Sequence, residues 1–133
     1  MVVVDTSVWV EYFKSKPSID TQALDRLILE AEVSICLAIY AEIFSGQMTA
    51  AAKVELRSLF VVMNFFDLDW NKKEIWQSLG DLADSAFQNR IPACGLVDRM
   101  IVQVCKTHKL TLWTLDTKLK SLSHFNHVQC FAS

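Results

Sequence analysis

The fold is decided by the stretch Met1-Val2-Val3-Val4-Asp5-Thr6-Ser7. Its three valines predict a short strand, because β-branched side chains pack well on a pleated surface. A continuous apolar run is typical of a parallel strand that is covered on both faces, so this strand is expected at the centre of a sheet. Asp5 then lies at the carboxyl end of the strand, which is the edge where open α/β sheets bind their ligands.

The remaining sequence alternates between strand-like and helix-like segments. Further strands are predicted over 33–36, 64–68, 110–114 and 128–131, and helices over 7–13, 38–45, 49–60, 71–89 and 97–108, with one more that begins near residue 18 or 20. Such alternation favours parallel βαβ units with right-handed crossovers. We therefore predict one domain over residues 1–133, with an α/β fold: a three-layer α/β/α sandwich around a short, mainly parallel twisted sheet.

Helix ends and helix faces follow from capping residues and apolar spacing. Thr49 and Asn71 stand where helices begin, and their side chains are suited to accept hydrogen bonds from backbone N–H groups. Gly46 is predicted to end the helix over 38–45. In the helix over 71–89, Trp76 and Phe87 are among the apolar residues predicted on the inner side.

Composition excludes several classes of protein. No apolar run approaches the roughly 20 residues of a membrane span. Asp5 interrupts the first apolar run too early for a signal peptide, and no basic region precedes it. A cytoplasmic location is therefore expected. The four cysteines form no C-x-x-C pair and no histidine is spaced to complete a zinc site, which favours reduced, buried thiols.

Charge is distributed unevenly along the chain, although the net charge is only −2. From residue 86 onward the only acids are Asp98 and Asp116, against six lysines and arginines. If a bound cation neutralises those two acids, this third of the chain is basic and compatible with a polyanionic partner. A basic face that is merely solvated is the alternative, and charge alone favours it.

Four of the fifteen acids are not explained by polar helix faces. Asp5 and Asp116 each follow a predicted inner strand, and a helix cap or turn is the alternative role for either residue. Asp98 lies in the first turn of an apolar helix, where compensation of the helix dipole is the alternative. Glu42 is the only charge in its apolar helix, so it either lies at an exposed edge or meets a positive group.

These four acids are expected to meet at one edge of the sheet. The carboxyl ends of parallel strands lie at one edge of the sheet, and the helices that follow the strands begin at that edge. Carboxylates that come close repel each other, and at least one holds a proton unless a cation is present. Ligands that are all oxygen suit Mg²⁺ or Mn²⁺ rather than zinc or copper, and Mg²⁺ leaves room for phosphate oxygens.

Four motifs in this order resemble the PIN domain family, and in particular the short VapC-type toxins of bacterial toxin–antitoxin pairs. They are Val3-Val4-Asp5-Thr6-Ser7-Val8-Trp9, Ala41-Glu42-Ile43-Phe44-Ser45-Gly46, Leu96-Val97-Asp98-Arg99-Met100-Ile101 and Leu112-Trp113-Thr114-Leu115-Asp116. The resemblance covers nearly the whole chain. The chain departs from the family pattern at two places. Ala38 stands where many members have a hydroxyl residue, and Thr117-Lys118-Leu119 stands where Asp-Phe often follows the last acid.

The resemblance implies a metal-dependent endoribonuclease that cleaves RNA by metal-activated water. By this likeness Asp5, Glu42, Asp98 and Asp116 are the catalytic residues and bind Mg²⁺ or Mn²⁺. Ser7 and Thr114 are the hydroxyls that orient carboxylates or water.

The resemblance also implies partners: a second copy in a homodimer, and an antitoxin whose C-terminal segment lies near the acids. Several aromatic side chains would supply an apolar docking surface, although ordinary core packing is favoured for any one of them; they are Trp9, Tyr12, Phe13, Tyr40 and Phe44.

Two other functions stay open at this point. In a metal-dependent phosphatase or phosphoacceptor domain Asp5 would be the nucleophile, but that chemistry usually needs a second acid two residues later, where this chain has Ser7. In a catalytically inactive PIN-like binding module one of the four acids would be missing, and none is.

Overall fold

A computed structural model describes residues 1–46 and 48–132. Within these residues four strands alternate with seven helices. In chain order they are β1 (Val2–Val4), α1 (Thr6–Tyr12), α2 (Thr21–Leu29), β2 (Val33–Ile35), α3 (Leu37–Ser45), α4 (Ala50–Val62), β3 (Asn64–Phe65), α5 (Lys73–Gln88), α6 (Leu96–His108), β4 (Thr111–Trp113) and α7 (Thr117–Phe125).

The sheet is parallel throughout and has the strand order β3-β2-β1-β4. Strand β1 therefore lies inside the sheet, where Val3 pairs with Ser34 of β2 and with Leu112 of β4. Because β1 and β4 run side by side, the residues that follow them leave the sheet at the same edge. The backbone N–H of Asp5 donates to the carbonyl of Trp113 across this edge, over 2.9 Å.

Helices cover both faces of the sheet. Successive side chains of a strand point to opposite faces, and Val3 and Val4 are both fully buried. The largest fully buried side chains come from helices as well as strands; they include Trp9, Leu24, Ile39, Ile43, Leu56, Leu79, Ile101, Leu112, Leu119 and Leu122. The predicted three-layer α/β/α fold is confirmed.

Two predicted strands are shorter than expected. The third strand ends at Phe65, because the Asp67 carboxylate accepts hydrogen bonds from the backbone N–H groups of Leu37 and Leu68 and turns the chain away from the sheet. The fifth strand is reduced to one parallel bridge between Cys130 and Leu112 at the outer side of β4.

Helix α5 differs from its prediction at its start and on its faces. Asp69 accepts a hydrogen bond from the N–H of Asn71, so residues 69–72 form a turn, and the helix begins after Lys72, which makes no side-chain cap. The buried side consists of Leu79, Leu82 and Ala86. The predicted inward positions of Trp76 and Phe87 are wrong: these side chains are 42% and 82% exposed.

Four helices end in a non-glycine residue with left-handed backbone. These residues are Ala31, Arg90, Lys109 and His127, with φ between 55° and 60°. At the end of α5 the N–H of Ile91 donates to the carbonyl of Ala86 and the N–H of Arg90 to that of Phe87, which is the hydrogen-bond pattern of a Schellman motif. The predicted end of α3 at Gly46 is confirmed, but its backbone is extended, with φ −95°.

The cysteines are free thiols, as predicted. Cys36 and Cys105 are buried as predicted, whereas Cys94 and Cys130 are only partly buried. Burial raises the pKa of the Cys36 thiol to about 11. Among residues 1–46 and 48–132, no helix combines the length and the apolar character that a membrane crossing needs.

Candidate active site

Asp5 follows β1 and is 6% exposed. Its Oδ2 accepts hydrogen bonds from Ser7 Oγ at 2.9 Å and from Thr114 Oγ1 at 2.8 Å. Asp5 occupies the N-cap position of α1, but its side chain makes no capping hydrogen bond. The alternative role as a helix cap therefore does not describe this carboxylate, which is held instead by two hydroxyls.

The two hydroxyls join the end of β1 to the end of β4. Ser7 Oγ accepts from the N–H of Leu115 at 3.0 Å, and Thr114 Oγ1 accepts from the N–H of Asp116 at 3.1 Å. Since each hydroxyl carries one proton, accepting from the backbone leaves that proton free to point at Asp5. Both hydroxyls therefore donate hydrogen bonds to the Asp5 side chain.

Glu42 projects from α3 toward the same place. Its Oε1 accepts a hydrogen bond from Thr6 Oγ1 at 3.1 Å. Partial burial raises the pKa of the Glu42 carboxyl, the charges of Asp5 and Asp98 raise it further, and the Thr6 hydrogen bond opposes them. Glu42 thus lies among other acids rather than at a separate exposed edge, and no cation of the described chain opposes its charge.

Asp98 and Asp116 complete the group from α6 and α7. Burial is the main reason why the pKa of the half-buried Asp98 carboxyl is raised, and the charges of Asp116 and Asp5 raise it further. A backbone hydrogen bond with Gly95 lowers this pKa. Asp116 is exposed and caps α7: its Oδ1 accepts from the N–H groups of Lys118 and Leu119 at 2.9 and 3.3 Å. Asp116 therefore does cap α7, which was the alternative role considered for it. Its Oδ2 takes no part in the cap and remains available to a ligand.

Hydrogen bonds and charge interactions connect the four predicted site residues at one edge of the sheet. Asp5 and Asp98 act on the pKa of Glu42, and Asp116 and Asp5 act on that of Asp98, so all four share one electrostatic neighbourhood. In the described ranges, no three His, Cys, Asp or Glu side chains are grouped closely enough to hold a metal ion as they stand.

The donor set of this cluster nevertheless fits a hard divalent cation. All four side chains offer oxygen, the donor that Mg²⁺ and Mn²⁺ prefer. Burial and like charge both disfavour the ionised forms of Glu42 and Asp98, and a doubly charged ion would relieve both effects.

One acid next to the cluster was not singled out from the sequence. Asp67 accepts a hydrogen bond from the N–H of Leu37, the first residue of α3, over 2.7 Å. It thereby supplies the cap that Cys36, at the N-cap position, does not provide. Since this contact joins residues 30 positions apart, no local pattern points to it.

This fold and its acidic cluster define a known class of protein. The PIN domain family model matches residues 2–124, and the chain belongs to the PIN domain family. Within that class the chain is similar to the VapC ribonuclease Mb1587 of Mycobacterium bovis and to Ribonuclease VapC11 of Mycobacterium tuberculosis, each 42% identical over 50 residues. That match spans 36% of this chain and 37% of the length of each relative. The resemblance seen in the four motifs is confirmed.

Solved structures share the fold over nearly the full length. FitAcB from Neisseria gonorrhoeae has a TM-score of 0.69 at 22% identity, covering 99% of this chain and 97% of that one. PAE2754 from Pyrobaculum aerophilum has a TM-score of 0.59 at 16% identity, covering 92% and 85%. At such identities the likeness concerns the fold alone.

Proposed function

We propose that the protein is a Mg²⁺- or Mn²⁺-dependent endoribonuclease and the toxin of a toxin–antitoxin pair. The observation that carries this proposal is the cluster of Asp5, Glu42, Asp98 and Asp116 at the carboxyl edge of the parallel sheet. Membership of the PIN domain family supports it, as do the relatives named as VapC ribonucleases.

The chain's own residues have distinct parts in this activity. The four acids hold the ion, and when bound it lowers the pKa of a water molecule and polarises the phosphate. Ser7 and Thr114 fix the direction of the Asp5 carboxylate through their two hydrogen bonds. Thr6 does the same for Glu42. Such hydroxyls keep the acids in place without adding charge to the site.

The first prediction concerns cleavage of RNA. Purified protein with Mg²⁺ or Mn²⁺ is expected to cleave a single-stranded RNA, and Asp5→Asn or Asp98→Asn to slow cleavage by at least roughly 100-fold, because each loses an anionic ligand of the ion. Asp84→Asn is the matched control, since Asp84 is exposed on α5 and only bonds Gln88. The measurement is the initial rate on a fluorescently quenched RNA, with circular dichroism as the test of folding.

Two outcomes would contradict the proposal. Equal rates for the wild type and both site variants would indicate a contaminating nuclease. Cleavage that continues unchanged in excess EDTA would exclude a dependence on divalent ions.

An antitoxin and a second copy of the chain are the partners proposed with this function, and the cytoplasm is the proposed location. Of the aromatic side chains considered for docking, Trp9 is buried in the core, whereas Tyr40 on α3 is 41% exposed two residues from Glu42. A basic antitoxin side chain that enters the acidic cluster next to this apolar surface would block cation binding.

A co-expression experiment tests the partners. The product of a small adjacent gene is expected to co-purify with the protein and to suppress its RNA cleavage. Light scattering of the isolated chain should give twice the monomer mass. Cleavage that is unaffected by the adjacent gene product would contradict the antitoxin assignment.

The two alternative functions are less well supported. A phosphoacceptor aspartate usually has a second acid two residues later, and this chain has Ser7 there, whose hydroxyl donates to Asp5 instead. For an inactive binding module, the loss of an acid is the expected signature, and all four acids are present.

A further inference from the structure

A cavity of about 210 Å³ opens between α5, the loop that follows it, α6 and α7. Its walls are mostly apolar, and its lining includes Phe87, Ile91, Pro92, Cys94, Arg99 and Leu122. Sites for drug-sized molecules usually measure roughly 300–1,000 Å³. This cavity therefore suits a single ring system rather than a whole nucleotide.

The cavity adjoins the acidic cluster. Arg99 in its wall directly follows Asp98 in the first turns of α6. After burial, the charges of Asp98 and Asp116 raise the pKa of the Cys94 thiol, which also lines the cavity. A molecule in this cavity would therefore lie beside a substrate bound at the acids.

Arg99 supplies the polar group of this otherwise apolar cavity. Its Nη1 donates to the carbonyl of Leu79 at 3.1 Å, which holds the guanidinium against α5. Its Nε is buried and has no acceptor among residues 1–46 and 48–132. An atom that solvent does not reach is closed to a ligand too, so an acceptor in the cavity would meet the remaining N–H groups of the guanidinium.

Phe87 supplies an aromatic face at the rim of the same cavity. The ring is 82% exposed, because the helix buries Leu79, Leu82 and Ala86 instead. Exposed aromatic rings are the surfaces on which proteins stack the bases of single-stranded RNA.

The loop that lines the cavity after α5 is fixed in position. The Ile91 N–H donates to the Ala86 carbonyl over 2.9 Å, which ties the loop after α5 to the helix. A base that stacks on Phe87 therefore meets a preformed wall rather than a loose loop.

We propose that this cavity binds a guanine base of the RNA substrate next to the phosphate that is cleaved. Phe87 stacks on the base, and Arg99 donates to its O6 and N7, the pair of acceptors that an arginine fork matches. The inference rests on the proposed function, because it takes RNA as the substrate. It predicts that the nuclease prefers RNA with a guanine next to the cleaved phosphate.

Nucleotide binding tests this proposal independently of cleavage. The probes are the four nucleoside 5′-monophosphates, each added with Mg²⁺ to ¹⁵N-labelled protein. GMP is expected to shift the amide signals of Phe87, Cys94 and Arg99 more than the other three nucleotides do. Phe87→Ala should weaken GMP binding roughly 5- to 150-fold, the range that corresponds to the loss of one stacked base.

Two further variants complete the experiment. Arg99→Lys keeps the charge but loses the fork, so it should remove the preference for GMP over AMP. Val61→Ala is the control, since Val61 is an exposed apolar residue of α4 that does not line the cavity; its binding should equal that of the wild type.

Each outcome decides the inference. Equal shifts with all four nucleotides, no shifts at these amides, or undiminished GMP binding by Phe87→Ala would overturn it. RNA cleavage without these GMP effects would support the proposed nuclease activity and contradict guanine binding in the cavity. Selective GMP binding without RNA cleavage would support the cavity and overturn the nuclease.

Discussion

Asp5 receives its two hydroxyl donors from opposite ends of the sequence. Ser7 is two residues away and Thr114 is 109 residues away. The position of Asp5 at the end of a valine strand predicts that it faces a binding edge, and its neighbour Ser7 is visible in the same motif. The contact with Thr114 follows only once β1 and β4 pair, because nothing local to residue 114 identifies its partner.

Removing one of these donors should cost stability. Thr114→Val keeps the shape of the buried side chain but removes a donor to Asp5 and an acceptor for the Asp116 N–H. We expect the free energy of unfolding to fall by about 1–3 kcal/mol, the cost of a buried polar group left without its partner. Urea denaturation without divalent ions measures this loss.

The same substitution at an exposed site is the control. Thr107 lies on the surface of α6, so Thr107→Val should change stability by less than about 0.5 kcal/mol. If both variants are equally stable, the hydrogen bonds of Thr114 do not contribute to stability.

At the scale of single elements, the reliable signals were those that a short segment carries by itself. Thr49 caps α4 as predicted, and its Oγ1 accepts from the Ala52 N–H at 3.1 Å. Helix α7 was not predicted, because the apolar pattern after Asp116 is weak. Phe87 was assigned to the wrong face, because apolar character alone does not separate core from a functional surface.

The left-handed helix ends give a prediction at this scale. A non-glycine residue in this conformation costs roughly 1–2 kcal/mol, which glycine avoids. Ala31→Gly should therefore raise the free energy of unfolding by about 0.5–1 kcal/mol, after the extra entropy of glycine in the unfolded chain is subtracted. Chemical denaturation provides the measurement.

The control for this prediction is the same exchange inside a helix. Ala41 is exposed within α3, where Ala41→Gly should destabilise the protein by about 1 kcal/mol. If both exchanges destabilise equally, the backbone at Ala31 is not strained.

At the scale of the whole molecule, the order of the strands brings together residues that are far apart in the sequence. The pattern of strands and helices was sufficient to predict a parallel sheet, and it also led to the prediction, still to be tested, that four acids at its edge form the site. The cavity beside them was not predictable, because its lining comes from α5, a loop, α6 and α7, and depends on how these elements pack. Sequence patterns describe faces of elements and not the spaces between them.

The proposed acidic site is expected to make stability depend on pH and on divalent ions. Folding raises the pKa of Glu42 above 4.5 and of Asp98 above 3.8, mainly through burial. Between those ordinary values and the raised ones the folded protein binds more protons than the unfolded chain. The free energy of unfolding in EDTA should therefore fall as the pH rises through this window, as thermal unfolding would reveal.

A cation should reverse this loss. Mg²⁺ at 100 times its dissociation constant adds about 2.7 kcal/mol if it binds only the folded protein. Asp98→Asn should unfold at a higher temperature than the wild type in EDTA at neutral pH and gain less from Mg²⁺, whereas Asp84→Asn should behave like the wild type. If the unfolding temperature of the wild type does not change with pH or with Mg²⁺, the acids do not destabilise the folded protein by repelling each other.

The place of β1 between β2 and β4 has a consequence for the cell that makes this protein. Strand β1 is translated before both of its neighbours, and more than 100 residues separate it from β4. A nascent polypeptide that still lacks β4 has neither the Thr114 hydroxyl nor the Asp116 carboxylate. If the chain cuts RNA, the ribosome and message that produce it are therefore spared until residues 114–116 have been made.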